Sequence, residues 1–344
     1  MTYKIVNNIW EELQKELVLD NFIIVTDRNI YNIYKDEVKN LLKGRDHIYI
    51  MPSGEESKNL QELSNIFKLL IQKNIDRNGK IYCLGGGVVG DLGGFAAATY
   101  KRGIDYIQIP TSLLSQVDSS IGGKTGIDFL EHKNIIGSFH FPLITIIDAS
   151  FINTLPKKEI TCGLGEIIKY GLIEDYDFLK FIEKNIDKIY RRDMRILQTI
   201  IKKSIEIKSS IVQEDKLDTG IRQKLNFGHT IGHSIESYFQ YKKYNHGEAV
   251  ILGMIYESNI AYEKEFIDKK YYNEIIKVLS PLVEKVVFSI EDIKLLIDYM
   301  RNDKKNKEGR ISFALPVGKG KVDLFYDVEE NLIIKALLNG FKIQ

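Results

Sequence analysis

The sequence predicts an α/β N-terminal half followed by a mostly α-helical C-terminal half. Three observations predict it. Short apolar runs alternate with helical patterns from residue 22 to residue 147. After Pro156 the strand signals nearly vanish. Glycines concentrate at 85–94, 122–126 and 163–171, where a backbone must turn sharply or approach a ligand closely.

In chain order, Phe22–Thr26, His47–Ile50, Ile81–Leu84, Ile107–Ile109 and Ile144–Ile147 read as buried strands, and Asn59–Lys73 carries apolar residues at helical spacing. Alternation of this kind predicts a mostly parallel sheet. Glu159–Leu172, Tyr176–Ile189, Met194–Val212, Gln223–Phe239 and Glu248–Phe266 read as helices. A short β pattern returns at Ile311–Leu315 and Val322–Phe325, before a final helix near Glu329–Leu338. The boundary falls near Ala149–Pro156, giving expected domains 1–152 and 153–344.

With 344 residues, 44% hydrophobic and 28% charged, the chain has the composition of an ordinary globular enzyme. Its 48 basic and 47 acidic side chains nearly cancel, so bulk charge argues for neither a nucleic-acid nor a membrane partner. Two cysteines, Cys83 and Cys162, make no disulfide framework. The first ten residues lack a signal peptide's apolar core, and no apolar run approaches the ~18 residues of a membrane span. The expected location is the cytoplasm.

Lys80–Asp91 is a strand running into a glycine loop in which Gly85, Gly87 and Gly90 satisfy G-x-G-x-x-G. The amides opening the next helix would face a pyrophosphate. The acid usual about 20 residues further on is replaced by Thr111, whereas Asp27 follows the first strand and is placed for ribose hydroxyls. A tight structural turn is the competing reading. Ser53–Lys58 follows another strand and reads either as a capped helix start or as a loop reaching a dinucleotide.

His229 and His233 stand at i and i+4 on one helix face, Glu166 lies on an earlier helix three residues before Lys169, and His246 opens a later helix. Two imidazoles and a carboxylate with an open position suit a catalytic zinc, although cobalt, iron or manganese can compete. Spacing alone is equally compatible with histidines satisfied within the fold. Val117–Gly126 is glycine-rich and carries Lys124, with Lys133 and Asn134 close behind. Its Gly123-Lys124-Thr125 matches only the end of a P-loop. Singly, Arg102, Lys169, Lys208, Arg222 and Lys304 read as solvated charges; together with the glycines they favour a phosphorylated, carboxylated ligand.

These motifs jointly resemble the 3-dehydroquinate synthase family. The resemblance rests on Gly54-Glu55-x-x-Lys58, Gly85–Asp91, Tyr100–Gly103, Pro110–Leu114, Val117–Lys124, Lys133-Asn134, Gly165–Lys169, Arg222–His233, His246–Glu248 and Asp303–Lys305, in family order. It implies a Rossmann-like nucleotide-binding domain, a helical metal-binding domain and an active site in the cleft between them. It implies NAD held by Asp27, Asn29, Ser53, Gly54, Glu55, Lys58, Gly86, Gly87, Val88, Val89, Gly90, Asp91, Thr111, Ser112, Lys124, Lys133, Phe151 and Thr154. One divalent metal, zinc or alternatively cobalt, falls on Glu166, His229 and His246. Substrate and catalytic roles fall on Asp118, Lys124, Lys133, Asn134, Lys169, Lys208, Arg222, Asn226, His233 and Lys304. Arg102 would reach the neighbouring site of a homodimer. The family converts 3-deoxy-D-arabino-heptulosonate 7-phosphate, a phosphorylated keto acid, to 3-dehydroquinate and phosphate.

Three departures stand out. Ser112 replaces a common Thr, Gly165 replaces a frequent Ala and is expected to loosen its helix, and Asp218 replaces a common Glu ahead of Arg222. A metal-dependent polyol dehydrogenase would need no phosphate anchors and would release NADH. Another sugar-phosphate cyclase, such as a deoxy-inosose synthase, would need no carboxylate partner, so Lys208 and Arg222 discriminate. A non-catalytic nucleotide-binding regulator would have lost a metal ligand or Lys169.

Overall fold

A computed structural model describes residues 2–17, 20–130, 132–302, 310–339 and 341. Two compact units form: Met1–Leu155 with Arg192–Ser209, and Pro156–Arg191 with Ser210–Gln344. Segment 192–209 thus groups with the first unit, although in sequence it lies well beyond residue 152. Arg192 is one tie: its guanidinium donates to the Ile152 and Leu155 carbonyls at 3.1 and 2.9 Å.

The first unit runs β1 (Tyr3–Val6), α1 (Ile9–Glu16), β2 (Phe22–Asp27), α2 (Arg28–Ile33), α3 (Lys35–Leu42), β3 (Ile48–Met51), α4 (Leu60–Gln72), β4 (Lys80–Gly85), α5 (Gly87–Thr99), β5 (Asp105–Pro110), β6 (Lys124–Phe129), β7 (His132–Phe139) and β8 (Ile144–Asp148). Six strands make one parallel sheet in the order β1-β8-β5-β4-β2-β3. Strand residues alternate between two cores. Ile23, Val25, Ile81 and Cys83 pack with Leu63 and Ile66 of α4 and Leu92 and Phe95 of α5. Phe22, Ile24, Tyr82 and Leu84 pack with Leu13 of α1 and Val38 and Leu41 of α3. Cover on both faces is why these strands read as unbroken apolar runs.

Only the end of the glycine-rich stretch Val117–Gly126 is strand: Lys124 opens β6, which pairs antiparallel with β7 in a hairpin that the sequence pattern does not mark. Gly126 lies opposite Gly137, and a Cβ on Gly126 would fall 2.7 Å from the Ile136 carbonyl oxygen. Glycines needed for this close approach removed the alternating pattern that marks a strand.

The second unit is helical: α6 (Lys157–Ile173), α7 (Tyr176–Tyr190), the end of α8 (Met194–Glu214), α9 (His229–Tyr238), α10 (His246–Glu263), α11 (Lys269–Leu279), α12 (Ile290–Arg301) and α13 (Glu330–Asn339), with hairpin β9 (Phe313–Gly318) and β10 (Lys321–Phe325). Nearly every residue from Ile160 to Ile173 and from Ala249 to Ala261 is buried. Helices apolar all round are central helices. The single helix expected over Gln223–Phe239 is broken. A 3₁₀ turn covers Ile221–Asn226, and α9 begins only after Gly228, whose φ of +80° stops helical propagation. Among the described residues, no helix is long and apolar enough to cross a membrane.

Candidate functional site

In the first unit the predicted nucleotide residues gather at the carboxyl edge of the sheet. The chain leaves β2 for β3 on one side and returns as β4 on the other. Asp27 and Gly85, at the ends of β2 and β4, therefore flank a topological switch point, where open α/β sheets bind ligands. Asp27 is also the cap of α2: its Oδ1 accepts from the Asn29 amide at 2.8 Å and from the Ser53 hydroxyl at 2.9 Å. Next to it, α5 starts behind Gly86 with no capping side chain, leaving first-turn amides suited to an anion. Gly90 lets α5 lie close on β5, since a Cβ there would meet Gln108 Oε1 at 2.5 Å. Thr111 anchors the next loop through its amide, which donates to the Gly85 carbonyl at 3.0 Å, and the Ser112 and Ser115 hydroxyls bond at 2.8 Å.

Lys58 is only 3% exposed. Its ammonium donates to Asp91 at 2.5 Å and to Asn134 Oδ1, with Glu55 3.9 Å away from both Lys58 and Lys133. Burial lowers the lysine pKa, but Asp91 and Glu55 outweigh it and hold the ammonium above its usual value. Lys208 bonds Asp118 twice, at 2.6 Å to the carboxylate and 2.8 Å to the carbonyl. Lys124 opens β6 and is exposed. The Phe151 ring is committed to the core, edge-on to Tyr34 at 5.1 Å, while the Thr154 hydroxyl meets the Tyr34 hydroxyl at 3.0 Å. Arg102 is exposed and has φ +69°, between Lys101 at +50° and Gly103 at +117°. Lys304 lies outside the described residues.

The second unit brings the predicted metal ligands together. Glu166 and Lys169 are one turn apart on α6, 0% and 2% exposed, and form an ion pair through Glu166 Oε2. Buried charges persist only when paired. The other oxygen, Oε1, lies 3.5 Å from His229 Nε2 and 3.9 Å from His246 Nε2. His229 Nδ1 is 3.1 Å from the Phe227 carbonyl, which can only accept, so Nδ1 carries the proton and Nε2 a lone pair. Tetrahedral ligands about 2.0–2.1 Å from zinc stand roughly 3.3 Å apart. The His229 separation is close to that spacing, the His246 separation is about 0.6 Å wider, and the donor set suits a divalent ion. His233 completes an imidazole cluster, with ring centroids 5.3 Å from His229 and 6.0 Å from His246.

Helix starts aim these side chains. His246 is the first residue of α10, whose capping box pairs the Asn245 side chain with the Glu248 amide and the Glu248 carboxylate with the Asn245 amide, both at 2.9 Å. His229 is the first residue of α9, where glycine supplies no cap. The buried Glu257 carboxylate substitutes, accepting from the Gly228 and Ile231 amides at 2.6 and 3.1 Å. At the close approach of α6 and α10, a Cβ on Gly165 would lie 2.7 Å from the Gly247 carbonyl oxygen. Gly165 thus accommodates close helix packing, a use its expected loosening of α6 did not anticipate.

Arg222 is buried and donates to the Lys216 carbonyl at 3.0 Å. Its loop folds around Asp215, whose carboxylate accepts amides from Thr219, Gly220 and Arg222 at 3.1, 2.7 and 3.1 Å. Asn226 ends the 3₁₀ turn, and not the middle of a helix. Sequence reasoning missed Asp215, Glu236 and Glu257. Only Glu236 had a signal, standing three residues after His233 on the same helical stripe.

The chain is similar to known proteins over most of its length. Residues 48–162 match the family description 3-dehydroquinate synthase N-terminal, and residues 163–306 match 3-dehydroquinate synthase C-terminal. The 3-dehydroquinate synthase of Alkaliphilus metalliredigens is 44% identical over 305 residues, 88% of this chain and 85% of that protein. A 2-epi-5-epi-valiolone synthase from Streptomyces hygroscopicus subsp. jinggangensis, solved with NAD+ and Zn2+ bound, superposes with a TM-score of 0.88 at 25% identity, covering 98% and 96% of the two chains. A 2-deoxy-scyllo-inosose synthase solved with carbaglucose-6-phosphate, NAD+ and Co2+ shares the fold at a TM-score of 0.85 and 24% identity, covering 97% and 95%. The chain belongs to the 3-dehydroquinate synthase family.

Proposed function

We propose that this chain converts 3-deoxy-D-arabino-heptulosonate 7-phosphate to 3-dehydroquinate and phosphate, using NAD and one divalent cation, Zn2+ in preference to Co2+. The observation that carries the reading is the forked Glu166 carboxylate, one oxygen toward two imidazoles and the other on Lys169. When bound, NAD supplies a reversible hydride acceptor and the cation supplies Lewis acidity toward adjacent substrate hydroxyls. Glu166, His229 and His246 would hold the cation. The carboxyl-edge loops from Asp27, Ser53, Gly86 and Thr111 would hold the nucleotide.

The remaining roles follow from residue chemistry. Lys169, an ammonium locked beside Glu166, stabilises negative charge as a substrate hydroxyl loses its proton. His233 can accept or return a proton at the same face. Arg222 offers a planar fork to the substrate carboxylate. Lys208, Asp118, Lys124 and Asn134 supply anion and hydroxyl contacts that orient a flexible sugar phosphate through several steps. The net reaction is redox-neutral. We further propose a cytoplasmic homodimer with Arg102 projecting to the partner's site; its run of left-handed backbone is the kind of strain kept at functional positions.

The test is phosphate release from the heptulosonate phosphate with NAD, with and without a chelator. Metal-dependent release without net NADH accumulation is expected. Release unaffected by complete metal removal, or stoichiometric NADH from a simple polyol, would overturn the reading.

A further inference from the structure

We propose that Glu236 is a positioning residue that makes His246 a metal ligand, by holding the proton of its imidazole on Nδ1. This rests on the metal-centred reading above. His246 carries two nitrogens that face two carboxylates: Nδ1 is 3.3 Å from Glu236 Oε2, and Nε2 is 3.9 Å from Glu166 Oε1. A neutral imidazole has one proton for its two nitrogens. A carboxylate that accepts at Nδ1 therefore leaves the Nε2 lone pair facing Glu166 and His229. The same division is made at His229 by the Phe227 carbonyl. Both imidazoles thus reach the ion with the same nitrogen, one oriented by a backbone oxygen and the other by a charged side chain.

Several features make Glu236 suited to this. It is buried, 7% exposed, so its charge is poorly screened and its rotamers are restricted by packing. It stands on the helical stripe of α9 that carries His229 and His233, so one rigid element supplies a ligand, a substrate imidazole and the orienting carboxylate. His246 is the first residue of α10, where the capping box fixes the backbone and does not itself touch the ring. A second contact is needed to choose the ring's orientation, and Glu236 makes it. The hydrogen bond to a carboxylate also raises the basicity of Nε2 toward a cation.

His233, Glu236 and His246 also lie close enough to form a donor trio of their own, all ligand atoms within 4.8 Å. A second ion there would need His246 Nδ1, the nitrogen already facing Glu236, and would put two cations on one imidazole. The hydrogen-bonded arrangement satisfies both nitrogens with one ion.

The experiment uses the full chain, stripped with a chelator and titrated with Zn2+ against a chromophoric competitor. Zn2+ per chain is counted, and Co2+ visible absorption is recorded. For wild type, one ion per chain is expected. Glu236→Ala should lose about 10–100-fold in Zn2+ affinity and change the Co2+ spectrum. Glu236→Gln keeps an acceptor for the Nδ1 proton without the charge, and should recover part of the affinity and most of the spectrum. NAD binding and the melting temperature of the metal-free protein should match wild type in Glu236→Gln. Wild-type affinity and spectrum in Glu236→Ala would overturn the proposal while leaving the metal reading intact. Two ions per wild-type chain, falling to one in Glu236→Ala, would overturn it by making Glu236 a ligand. A wild-type chain that takes up no Zn2+ would sink the metal reading, and this proposal with it.

Discussion

Replacing Gly247 with alanine tests whether close approach of α6 and α10 builds the metal centre. The added Cβ would fall 2.5 Å from both the Cα and the carbonyl carbon of Cys162, and nearer still to its carbonyl oxygen. Carbon atoms rest at about 3.5 Å, so the helices must part by about 1 Å. Those atoms are backbone on a buried helix, and no side chain can rotate away. The N–H of Gly247 also donates to Cys162 Sγ at 3.3 Å, and that bond would be lost. Overpacking of this kind costs about 1–3 kcal/mol. Its consequence for the site is larger than for the fold. His246 is the residue before Gly247, and its Nε2 already stands 3.9 Å from Glu166 Oε1. A further ~1 Å exceeds what a tetrahedral ion can bridge, because ligand distances tolerate only about ±0.2 Å. Zn2+ affinity, measured by chelator competition, should fall by at least about tenfold. Gly165→Ala is the graded control, since its Cβ would lie 2.7 Å from Gly247 O and 3.1 Å from Gly247 Cα. There the shift is smaller, and a helix-propensity gain of about 1 kcal/mol offsets part of the stability cost, so affinity should fall less than in Gly247→Ala. Wild-type Zn2+ affinity in Gly247→Ala, with an unchanged melting temperature, would refute the argument.

Two further predictions concern the supports of the site. Glu257→Ala leaves two buried amides at the start of α9 without their acceptor, at about 1–3 kcal/mol each, and should lower both the melting temperature and metal retention through His229. An unchanged melt would show that the amides find other partners. Asp215→Ala should raise KM for the phosphorylated substrate with little change in NAD binding, because the loop presenting Arg222 loses its centre. Partial burial raises the Asp215 pKa, but the Gly220, Thr219 and Arg222 amides outweigh it, so the carboxyl sits below its usual value. A depressed carboxyl supports the loop above its unfolded-state pKa and loses that support as pH falls through the folded-state value. The wild-type KM should therefore climb at the acid end, and the Asp215→Ala variant should lack that limb. A limb of equal size in both would assign it to another group.

Much of the α/β half was legible in the sequence because its strands are covered on both faces. Such strands must be apolar throughout, and that signal survives in one sequence. The hairpin at Lys124–Phe139 was not legible, because paired Gly126 and Gly137 serve backbone approach and erase periodicity. The break before His229 was missed for a related reason. The pattern around it stays helical, and the Gly228 conformation that ends it goes with the packing of α9 on α10.

The chemical groups of the site were determined by sequence alone: an acid and a lysine one turn apart, histidines at i and i+4, and a histidine opening a later helix. Those spacings are local, and local spacing dictates which side chains share a helix face. Which carboxylate meets which imidazole nitrogen was decided only by tertiary structure. Sequence spacing marks Glu166 by Lys169 one turn later and Glu236 by His233 one turn before, and leaves Glu257 unmarked, but it does not say which oxygen faces which partner. Their different parts follow from where α6, α9 and α10 pack, a matter of long-range contact at glycines such as Gly165 and Gly247.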